Sequence, residues 1–296
     1  MTTAQKALVL GGATGLVGQA LAEVLLASNW KVRSAGRADL DFAANDAAQR
    51  LEALLDSARP DCVFNAIGYT QVDAAEEDEE AATLMNRTLP AMLGRIVKER
   101  GCALVHFSTD FVFDGKKQSP YTPEDPTNPL SVYGRTKLAG EEAILALDLP
   151  KCLIIRTAWL FGPGRNNFVS RILELCRAKG SINVVHDQIG SPTYTLDLAQ
   201  YSLKLLESGS SGLFHIVNSG QARWVELADE AVDLAGLECT VNAVPSAAYP
   251  QKAERPAYSV LDCSALTKAT GISPRPWPQA LREFIFREFS AADPAP

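Results

Sequence analysis

Short apolar runs alternate with longer amphipathic segments through the first half of the chain. The short runs are almost continuously hydrophobic, which is typical of strands buried on both faces of a parallel sheet. In the segments between them, apolar residues recur every three or four positions, as in helices that cover a sheet on one side. This alternation predicts an α/β fold with a doubly wound, Rossmann-type parallel sheet.

The pattern also sets approximate bounds for the elements. Strands are predicted over residues 7–10, 31–34, 61–65, 103–108, 152–156 and 212–217. Helices are predicted over residues 15–27, 46–57, 81–100, 132–147, 167–178 and 196–207, with Thr195 capping the last. After residue 156 the alternation changes, and from residue 218 the segments are shorter and rich in proline. We therefore predict a dinucleotide-binding domain of residues 1–157 and about 187–217, and a smaller substrate-binding domain of residues 158–186 and 218–296.

Composition and charge narrow the class of protein. The chain has 296 residues, 47% of them hydrophobic, and a net charge of −7 from 28 basic and 35 acidic residues. This charge disfavours nucleic acid and anionic membrane surfaces as partners. No apolar run is long enough for a membrane span or a signal peptide. The six cysteines have no metal-binding spacing, so we expect free thiols in a reducing compartment and a cytoplasmic enzyme.

A glycine turn follows the first predicted strand and opens the first predicted helix. Gly12, Gly15 and Gly18 have the spacing G-x-x-G-x-x-G. We expect Gly12 to allow a sharp turn, Gly15 to expose backbone N–H groups to phosphate oxygens, and Gly18 to let the helix pack on the sheet. Together with Leu16 and Val17 at the helix N-terminus, they predict a site for the pyrophosphate of a dinucleotide.

The adenosine ribose should lie near a carboxylate about 20 residues further on. Asp39 and Asp41 are the candidates, with Leu40 between them. Arg37 lies beside them and could instead bind a 2′-phosphate. The sequence therefore predicts NADH or NADPH as the cofactor and leaves the choice between them open.

A tyrosine and a lysine supply the predicted proton chemistry. Tyr133 and Lys137 are four residues apart, so a helix places both on one face. We expect the ammonium to lower the pKa of the phenol and make it a better acid. Thr109, at the end of the fourth strand, could hydrogen-bond the same substrate oxygen. The three residues predict hydride transfer from a nicotinamide to a carbonyl, with Tyr133 as the proton donor.

These motifs carry a resemblance that extends over nearly the whole chain. Its stretches are GGATGLVG (11–18), NAIGYTQVD (65–73), STDFVFDG (108–115), PLSVYGRTKLAGE (129–141), RTAWLFG (156–162), NNF (166–168), DQIGSPT (187–193) and RPAYSVLD (255–262). The chain resembles the dTDP-4-dehydrorhamnose reductases, a family of extended short-chain dehydrogenases. The resemblance implies reduction of the 4-keto group of dTDP-4-dehydro-L-rhamnose to dTDP-L-rhamnose by NAD(P)H.

The resemblance also implies roles for particular residues. The catalytic set is Thr109, Tyr133 and Lys137. The cofactor contacts are Gly12, Gly15, Leu16, Val17, Gly18, Arg37, Asp39, Leu40, Ala66, Ile67, Gly68, Tyr133 and Lys137. The substrate contacts are Thr70, Val72, Thr109, Asp110, Tyr133, Trp159 and Asn167.

The chain departs from the family at a few positions. Ala158 occupies a position where serine is common in the family, and we expect the Ile67 side chain to narrow the cofactor-binding site. Some members hold magnesium between subunits near the end of the glycine turn. Because Gln19 and Ala20 offer no carboxylate there, we expect no metal. A homodimer is the expected assembly.

Two other functions remain open at this point. One is a non-catalytic, NADP-binding regulatory subunit of the same fold, which the presence of Thr109, Tyr133 and Lys137 disfavours. The other is a nucleotide-sugar epimerase or dehydratase. A dehydratase would need an Asp-Glu pair after Thr109, and here Asp110 is followed by Phe111. Arg255 could reach a diphosphate or form a structural salt bridge.

Overall fold

A six-stranded parallel sheet forms the centre of the protein, whose computed structural model describes residues 4–36, 39–42, 44, 46–249 and 251–289. The strands are β1 (Lys6–Leu10), β2 (Lys31–Ala35), β3 (Cys62–Asn65), β4 (Ala103–Thr109), β5 (Cys152–Thr157), β6 (Leu160–Phe161), β7 (Ser181–Val185), β8 (Ile189–Gly190), β9 (Thr193–Tyr194), β10 (Gly212–His215), β11 (Ala222–Arg223) and β12 (Thr240–Val244). The central sheet has the order β10-β5-β4-β3-β1-β2. All six predicted strands lie in it, which confirms the α/β fold class.

Helices cover the sheet and build a second layer beyond it. They are α1 (Leu16–Ala27), α2 (Ala47–Ala58), α3 (Val72–Ala75), α4 (Glu79–Thr83), α5 (Leu89–Arg100), α6 (Val132–Leu145), α7 (Phe168–Lys179), α8 (Thr195–Glu207), α9 (Trp224–Leu234), α10 (Ser264–Thr270) and α11 (Trp277–Phe289). The smaller strands pair outside the central sheet: β7 with β12, β8 with β11, and β6 with β9.

The four inner strands of the sheet, β1, β3, β4 and β5, are buried on both faces, as their apolar sequences predict, whereas the edge strand β2 is largely exposed. Successive residues of a strand point to opposite faces, so Leu8 and Val9 enter different cores. Val9 packs with residues of α1 and α8, whereas Leu8 packs with residues of α2 and α5. The carboxyl ends of the strands therefore remain the open edge at which a ligand can bind.

One predicted helix, over residues 81–100, is interrupted. α4 ends at Thr83, a π-helical turn spans Leu84–Thr88, and α5 then begins with Pro90 in its first turn. Proline has no N–H to donate to the preceding turn, so a regular helix cannot pass through this position. Thr195 is likewise not a cap, since it is the first residue of α8 and Tyr194 precedes it as the cap residue.

The prediction that all cysteines are free is wrong for two of them. Cys176 and Cys239 form a disulfide with their Cα atoms 5.4 Å apart. Cys176 lies near the end of α7, shortly before β7, and Cys239 directly precedes β12. Because β7 and β12 are parallel and paired from their first residues, their leading segments are brought together. The thiols of Cys62, Cys102, Cys152 and Cys263 are free.

Candidate active site

The glycine turn between β1 and α1 is built around the carbonyl of Gly11. A Cβ added at Gly15 would lie 2.7 Å from the Gly11 oxygen, and one at Gly18 would overlap the same carbonyl. The turn itself is made by Gly11, whose φ is 87°, and not by Gly12 as predicted. Gly15 caps α1 without a side chain, so the first-turn N–H groups, beginning at Leu16 and Val17, face outward. These features fit a dinucleotide pyrophosphate.

The end of β2 adjoins the glycine turn. A Cβ added at Gly12 would lie 2.5 Å from Ser34 Oγ, so only glycine fits there. The Asp39 carboxylate accepts the backbone N–H of Gly36 at 2.9 Å. The side chain of Leu40 is buried in the core, which leaves its backbone for any cofactor contact. Arg37 lies outside the described residues.

The segment 66–68 lies between the glycine turn and α6. A Cβ added at Gly11 would be 3.4 Å from Ile67 Cγ1, and one at Gly68 would be 3.9 Å from Lys137 Nζ. Ile67 donates its backbone N–H to the Asn65 side chain at 3.3 Å. The structure thus brings the glycine turn, Ile67, Gly68 and Lys137 together, although they are far apart in sequence.

Sequence reasoning missed Asn86, which holds this segment in place. Asn86 is fully buried in the π-helical turn. Its side chain accepts the backbone N–H of Tyr69 at 2.8 Å and donates to the Tyr69 carbonyl at 3.2 Å and to Thr136 Oγ1 at 3.0 Å. A polar residue next to a proline-interrupted helix was the available signal, because π-helical turns recur at functional sites.

Lys137 reaches the carboxyl end of β4 from α6. Its side chain is buried, and its Nζ donates to the backbone oxygen of Phe107 at 2.5 Å. Burial lowers the pKa of the ammonium to about 8, and the charge of Glu141 acts in the opposite direction. The ammonium therefore lies beside Gly68, on the side where the cofactor is expected.

The Thr109 hydroxyl lies close enough to the Tyr133 phenol to act on it, as the partner of a proton donor would. The pKa of the phenol nevertheless differs from the prediction. Burial raises it to about 12, with Thr109 lowering it and the charge of Asp110 raising it further. The expected lowering by Lys137 is wrong, because the loss of solvent outweighs the effect of nearby charges. Tyr133 thus holds its proton firmly at neutral pH.

Asp110 follows Thr109 in the same buried corner. Its side chain is 2% exposed. Oδ1 accepts a hydrogen bond from Thr109 Oγ1 at 3.1 Å, and Oδ2 has no partner at hydrogen-bond geometry among the described residues. Burial raises the pKa of the carboxyl to about 6, against the lowering effect of the Ser259 and Thr109 hydroxyls.

A buried ion pair lies next to Lys137 in the protein interior, and sequence reasoning missed it. Glu141 lies one turn after Lys137 and accepts from Arg156 of β5, with Arg156 Nη2 2.7 Å from Glu141 Oε2. Ser108 donates to the same carboxylate. Both charged side chains are 4% exposed or less. The i, i+4 spacing of Lys137 and Glu141 on an inward-facing helix was the available signal.

A cavity of about 600 Å³ extends from this corner, a size typical of small-molecule sites. Phe111 and Ser259 line it, and the Phe111 ring packs edge-to-face on Tyr133 at 5.6 Å between centroids. α7 and β7 supply other walls, for example through Leu175 and Asn183. The cavity wall at Phe111 therefore packs directly against the Tyr133 ring.

Two stacked indoles form part of the cavity wall. Trp159 lies on Trp224 with centroids 3.5 Å apart and planes 4° apart. Trp159 has a left-handed φ of 46°, and a Cβ added at Gly190 would overlap its indole. Trp224 donates its indole N–H to Gln188 Oε1 at 3.1 Å. Trp159 lines the cavity, and its contact with substrate stays a prediction, whereas Trp224 and Gln188 were missed as cavity residues.

The other predicted substrate contacts are spread more widely. Asn167 lines the cavity, but its amide caps α7, accepting from Ser170 N at 3.2 Å and donating to the Gly162 carbonyl at 2.9 Å. Thr70 is exposed, and Val72 is the first residue of α3. Their contacts with substrate stay predictions.

Arg255 forms the salt bridge that the sequence left open, and it also lines the cavity. Its Nη2 is 2.8 Å from Asp73 Oδ2. The same carboxylate accepts the backbone N–H groups of Lys252 and Ala253. Hydrogen bonding from Arg255 lowers the pKa of Asp73. The Asp73 carboxylate of α3 therefore anchors residues 252–255, and Arg255 of this segment lines the cavity.

Metal and membrane features were searched over the described ranges. There, no three His, Cys, Asp or Glu side chains are grouped so that they could hold a metal ion. Across those ranges, no helix is both long and apolar enough to span a bilayer. The acidic run after Asp73 begins a helix, since Asp78 caps α4 by accepting the N–H of Ala81 at 3.0 Å.

Comparison with known proteins gives consistent matches along the chain. Residues 6–289 match the family model of the RmlD substrate binding domain. The chain is 42% identical over 236 residues to the spore coat polysaccharide biosynthesis protein SpsK of Bacillus subtilis, covering 79% of this chain and 82% of that protein. It is 36% identical over 288 residues to the dTDP-4-dehydrorhamnose reductase of Aggregatibacter actinomycetemcomitans, covering 93% and 97%.

Solved structures show the same architecture. The crystal structure of dTDP-4-dehydrorhamnose reductase from Bacillus anthracis in complex with NADP superposes with a TM-score of 0.91. The two sequences are 28% identical, and the match covers 96% of this chain and all of the other. The comparison confirms the Rossmann-type fold class.

Proposed function

The chain belongs to the RmlD substrate binding domain family, and from that premise we propose that it is an NAD(P)H-dependent nucleotide-sugar 4-ketoreductase. Its substrate is dTDP-4-dehydro-L-rhamnose and its product is dTDP-L-rhamnose. The relatives support this reaction, since one is named dTDP-4-dehydrorhamnose reductase and a structural neighbour with that name contains NADP.

One observation carries the proposal: the glycine turn and the proton donors meet at one edge of the sheet. Gly68 lies within reach of both the turn, through its neighbour Ile67, and Lys137 Nζ. Thr109 ends β4 at the same edge and lies near Tyr133. A reductase needs this proximity, because hydride and proton must reach the two atoms of one carbonyl group.

The residues that would hold the cofactor follow from the same geometry. The first-turn N–H groups of α1 would bind the pyrophosphate, and Asp39 lies toward the ribose side. Lys137 would contact the nicotinamide ribose. When bound, the reduced nicotinamide supplies two electrons and one hydrogen as hydride. Arg37 lies outside the described residues, so the choice between NADH and NADPH is a matter for measurement.

The chain's own groups complete the reaction. Tyr133 gives one proton to the carbonyl oxygen as hydride reaches the carbonyl carbon, so the C=O group becomes CH–OH and the nicotinamide is oxidised. Thr109 donates a hydrogen bond to the same oxygen and stabilises the charge that develops there. The phenol then recovers its proton from solvent through the site.

The assembly and the domain division belong to the same proposal. The predicted domain of residues 1–157 and about 187–217 is supported by β10 in the central sheet and by α8 packed on α1. A homodimer and a cytoplasmic location are proposed with it, the latter because the reaction consumes reduced nicotinamide. Sedimentation velocity would measure the assembly state.

A turnover screen tests the function directly. Several 4-keto nucleotide sugars are offered with NADH and NADPH separately, and loss of reduced-nicotinamide absorbance is followed. We expect turnover of dTDP-4-dehydro-L-rhamnose to fall by about 10²- to 10⁴-fold in Tyr133→Phe, because the general acid is removed. Wild-type turnover no greater than that of Tyr133→Phe would favour the regulatory-subunit alternative.

Purification distinguishes the remaining alternative. An epimerase keeps its nicotinamide bound between turnovers, because the same cofactor is oxidised and reduced in each cycle. Protein isolated with stoichiometric NAD, and active without added reductant, would therefore contradict the ketoreductase.

A further inference from the structure

Thr109 stands between two acidic groups in a corner closed to solvent. Its Oγ1 is 3.1 Å from Asp110 Oδ1, accepts the backbone N–H of Phe111 at 3.2 Å, and lies near enough to the phenol of Tyr133 to lower its pKa. Thr109 is 5% exposed and Asp110 2%. With so little water, the hydrogen bonds among these groups decide where each proton points.

A count of donors and acceptors restricts the arrangement. A threonine hydroxyl has one proton to donate and two lone pairs to accept with. Phe111 occupies one lone pair of Thr109, which leaves one proton and one lone pair. An ionised Asp110 can only accept, so it takes the Thr109 proton, which then does not face the substrate.

Protonation of Asp110 reverses this direction. The carboxylic acid donates to the remaining lone pair of Thr109. The proton of Thr109 is then free to turn toward a carbonyl oxygen, where it joins Tyr133 in stabilising the developing negative charge. The proton of Asp110 stays in its hydrogen bond, and Tyr133 alone supplies the proton that accompanies the hydride.

We propose that Asp110 is a positioning residue whose neutral carboxylic-acid form turns the Thr109 hydroxyl proton toward the substrate carbonyl. The inference rests on the proposed ketoreductase function. The burial of Asp110 supports it, because a buried anion is costly, whereas a neutral acid is not.

The surroundings of Asp110 favour the neutral form. The helix packed against its turn is α6, which presents Tyr133, a group that is neutral at ordinary pH. Lys137 of the same helix turns instead to the Phe107 carbonyl and to Glu141. The C-terminal segment contributes the hydroxyl of Ser259. Burial already raises the pKa of Asp110 to about 6, and a ligand that expels water raises it further.

The test is the pH dependence of kcat/KM for the 4-keto sugar in wild type and Asp110→Asn. In wild type the competent form is protonated, so kcat/KM should fall about tenfold per pH unit above the pKa near 6. The amide of Asn can donate to Thr109 without titrating. Asp110→Asn should therefore lose this fall, and the ratio of variant to wild-type kcat/KM should rise more than tenfold between pH 5.5 and pH 7.5.

A matched control removes a nearby carboxylate outside the site. Asp114 lies four residues further on and bonds Asn128 and Tyr121. Asp114→Asn should show the wild-type pH profile. Cofactor titration by nicotinamide fluorescence establishes that each variant is folded and binds the dinucleotide.

The possible results distinguish a failure of the proposed ketoreductase function from a failure of the role of Asp110. No turnover by wild type would refute the proposed function. Wild-type turnover together with an Asp110→Asn variant that is inactive at every pH, or that keeps the wild-type profile, would refute the role of Asp110 alone. If the variant does not fold, the pH profile of wild-type kcat/KM still tests the role of Asp110. A flat profile between pH 5 and 7.5 would overturn the inference, and a single fall near pH 6 would support it.

Discussion

The ammonium of Lys137 donates to the backbone oxygen of Phe107 at 2.5 Å. This bond aims the lysine at the carboxyl end of β4, beside Gly68, although Tyr133 lies only one helical turn earlier. In the protein without ligand, the phenol is therefore tuned by burial and by Thr109, and the lysine faces the cofactor side.

Replacement of this lysine should affect binding and catalysis together. We expect Lys137→Met to lower kcat/KM by about 10²-fold or more, because the ribose contact and the positive charge on the cofactor side are both lost. The pKa of Lys137 is lowered to about 8, so its charge is present below pH 8 and lost above it. Above pH 8 the wild-type rate should therefore fall more steeply than the rate of the variant, which keeps only the fall caused by Asp110.

Lys98 provides the control for this substitution. Its Nζ also donates to a backbone oxygen, that of Leu147 at 2.6 Å, but on the surface. Lys98→Met should keep wild-type rates and affinity in the same pH series. A pH–rate profile shared by wild type and Lys137→Met would contradict the lysine's role.

Substitution of a glycine in the turn should weaken cofactor binding and leave the substrate-binding domain intact. In Gly15→Val, the new Cβ would lie 2.7 Å from the Gly11 carbonyl, so the turn must shift and its N–H groups lose alignment with the pyrophosphate. We expect the Kd for NADPH, measured by fluorescence titration, to rise at least about tenfold. A tenfold rise corresponds to the loss of roughly one charge-assisted hydrogen bond. Ala27→Val, at the exposed end of α1, should bind as wild type. Unaltered affinity in Gly15→Val would mean that the pyrophosphate binds elsewhere.

The buried ion pair should matter for stability far more than a surface pair. Glu141→Gln leaves the Arg156 guanidinium buried without its anion, and we expect a loss of about 3–5 kcal/mol in the free energy of unfolding. Glu174→Gln breaks the exposed pair with Arg171 and should cost about 1 kcal/mol or less. Urea denaturation at neutral pH compares the two. Equal costs would show that Glu141 is not an essential partner of Arg156.

The buried His215 predicts a loss of stability in mild acid. Burial, and then the charge of Arg156, lower its pKa from 6.5 to about 3. Between these values the unfolded chain binds a proton that the folded chain does not, so stability falls as pH decreases. Between pH 7 and pH 5 we expect this residue to contribute about 2 kcal/mol of the loss.

The measurement compares unfolding free energies of wild type and His215→Gln at both pH values. The variant should lose less on acidification, because the titrating group is gone. His186→Gln, at a half-buried position, is the control and should follow wild type. An identical loss in wild type and His215→Gln would assign the acid sensitivity to other groups.

Local features were readable from the sequence because their physical causes are local. Continuous apolar runs predicted the strands of the central sheet, since a strand buried on both faces has no polar side to reveal. The glycine turn and the Tyr133–Lys137 spacing were predicted because turn geometry and helical period depend on neighbouring residues.

Long-range placement decided the rest. The disulfide of Cys176 and Cys239 depends on the pairing of β7 with β12, and the salt bridge of Arg255 depends on where α3 lies. The pKa of Tyr133 has the opposite direction to the predicted one, because sequence spacing reveals a neighbouring charge but not the loss of solvent around the phenol. The sequence by itself determined the sheet and the chemical groups at its edge. Only the tertiary structure decided their burial, partners and proton positions, since these depend on contacts between residues far apart in the chain.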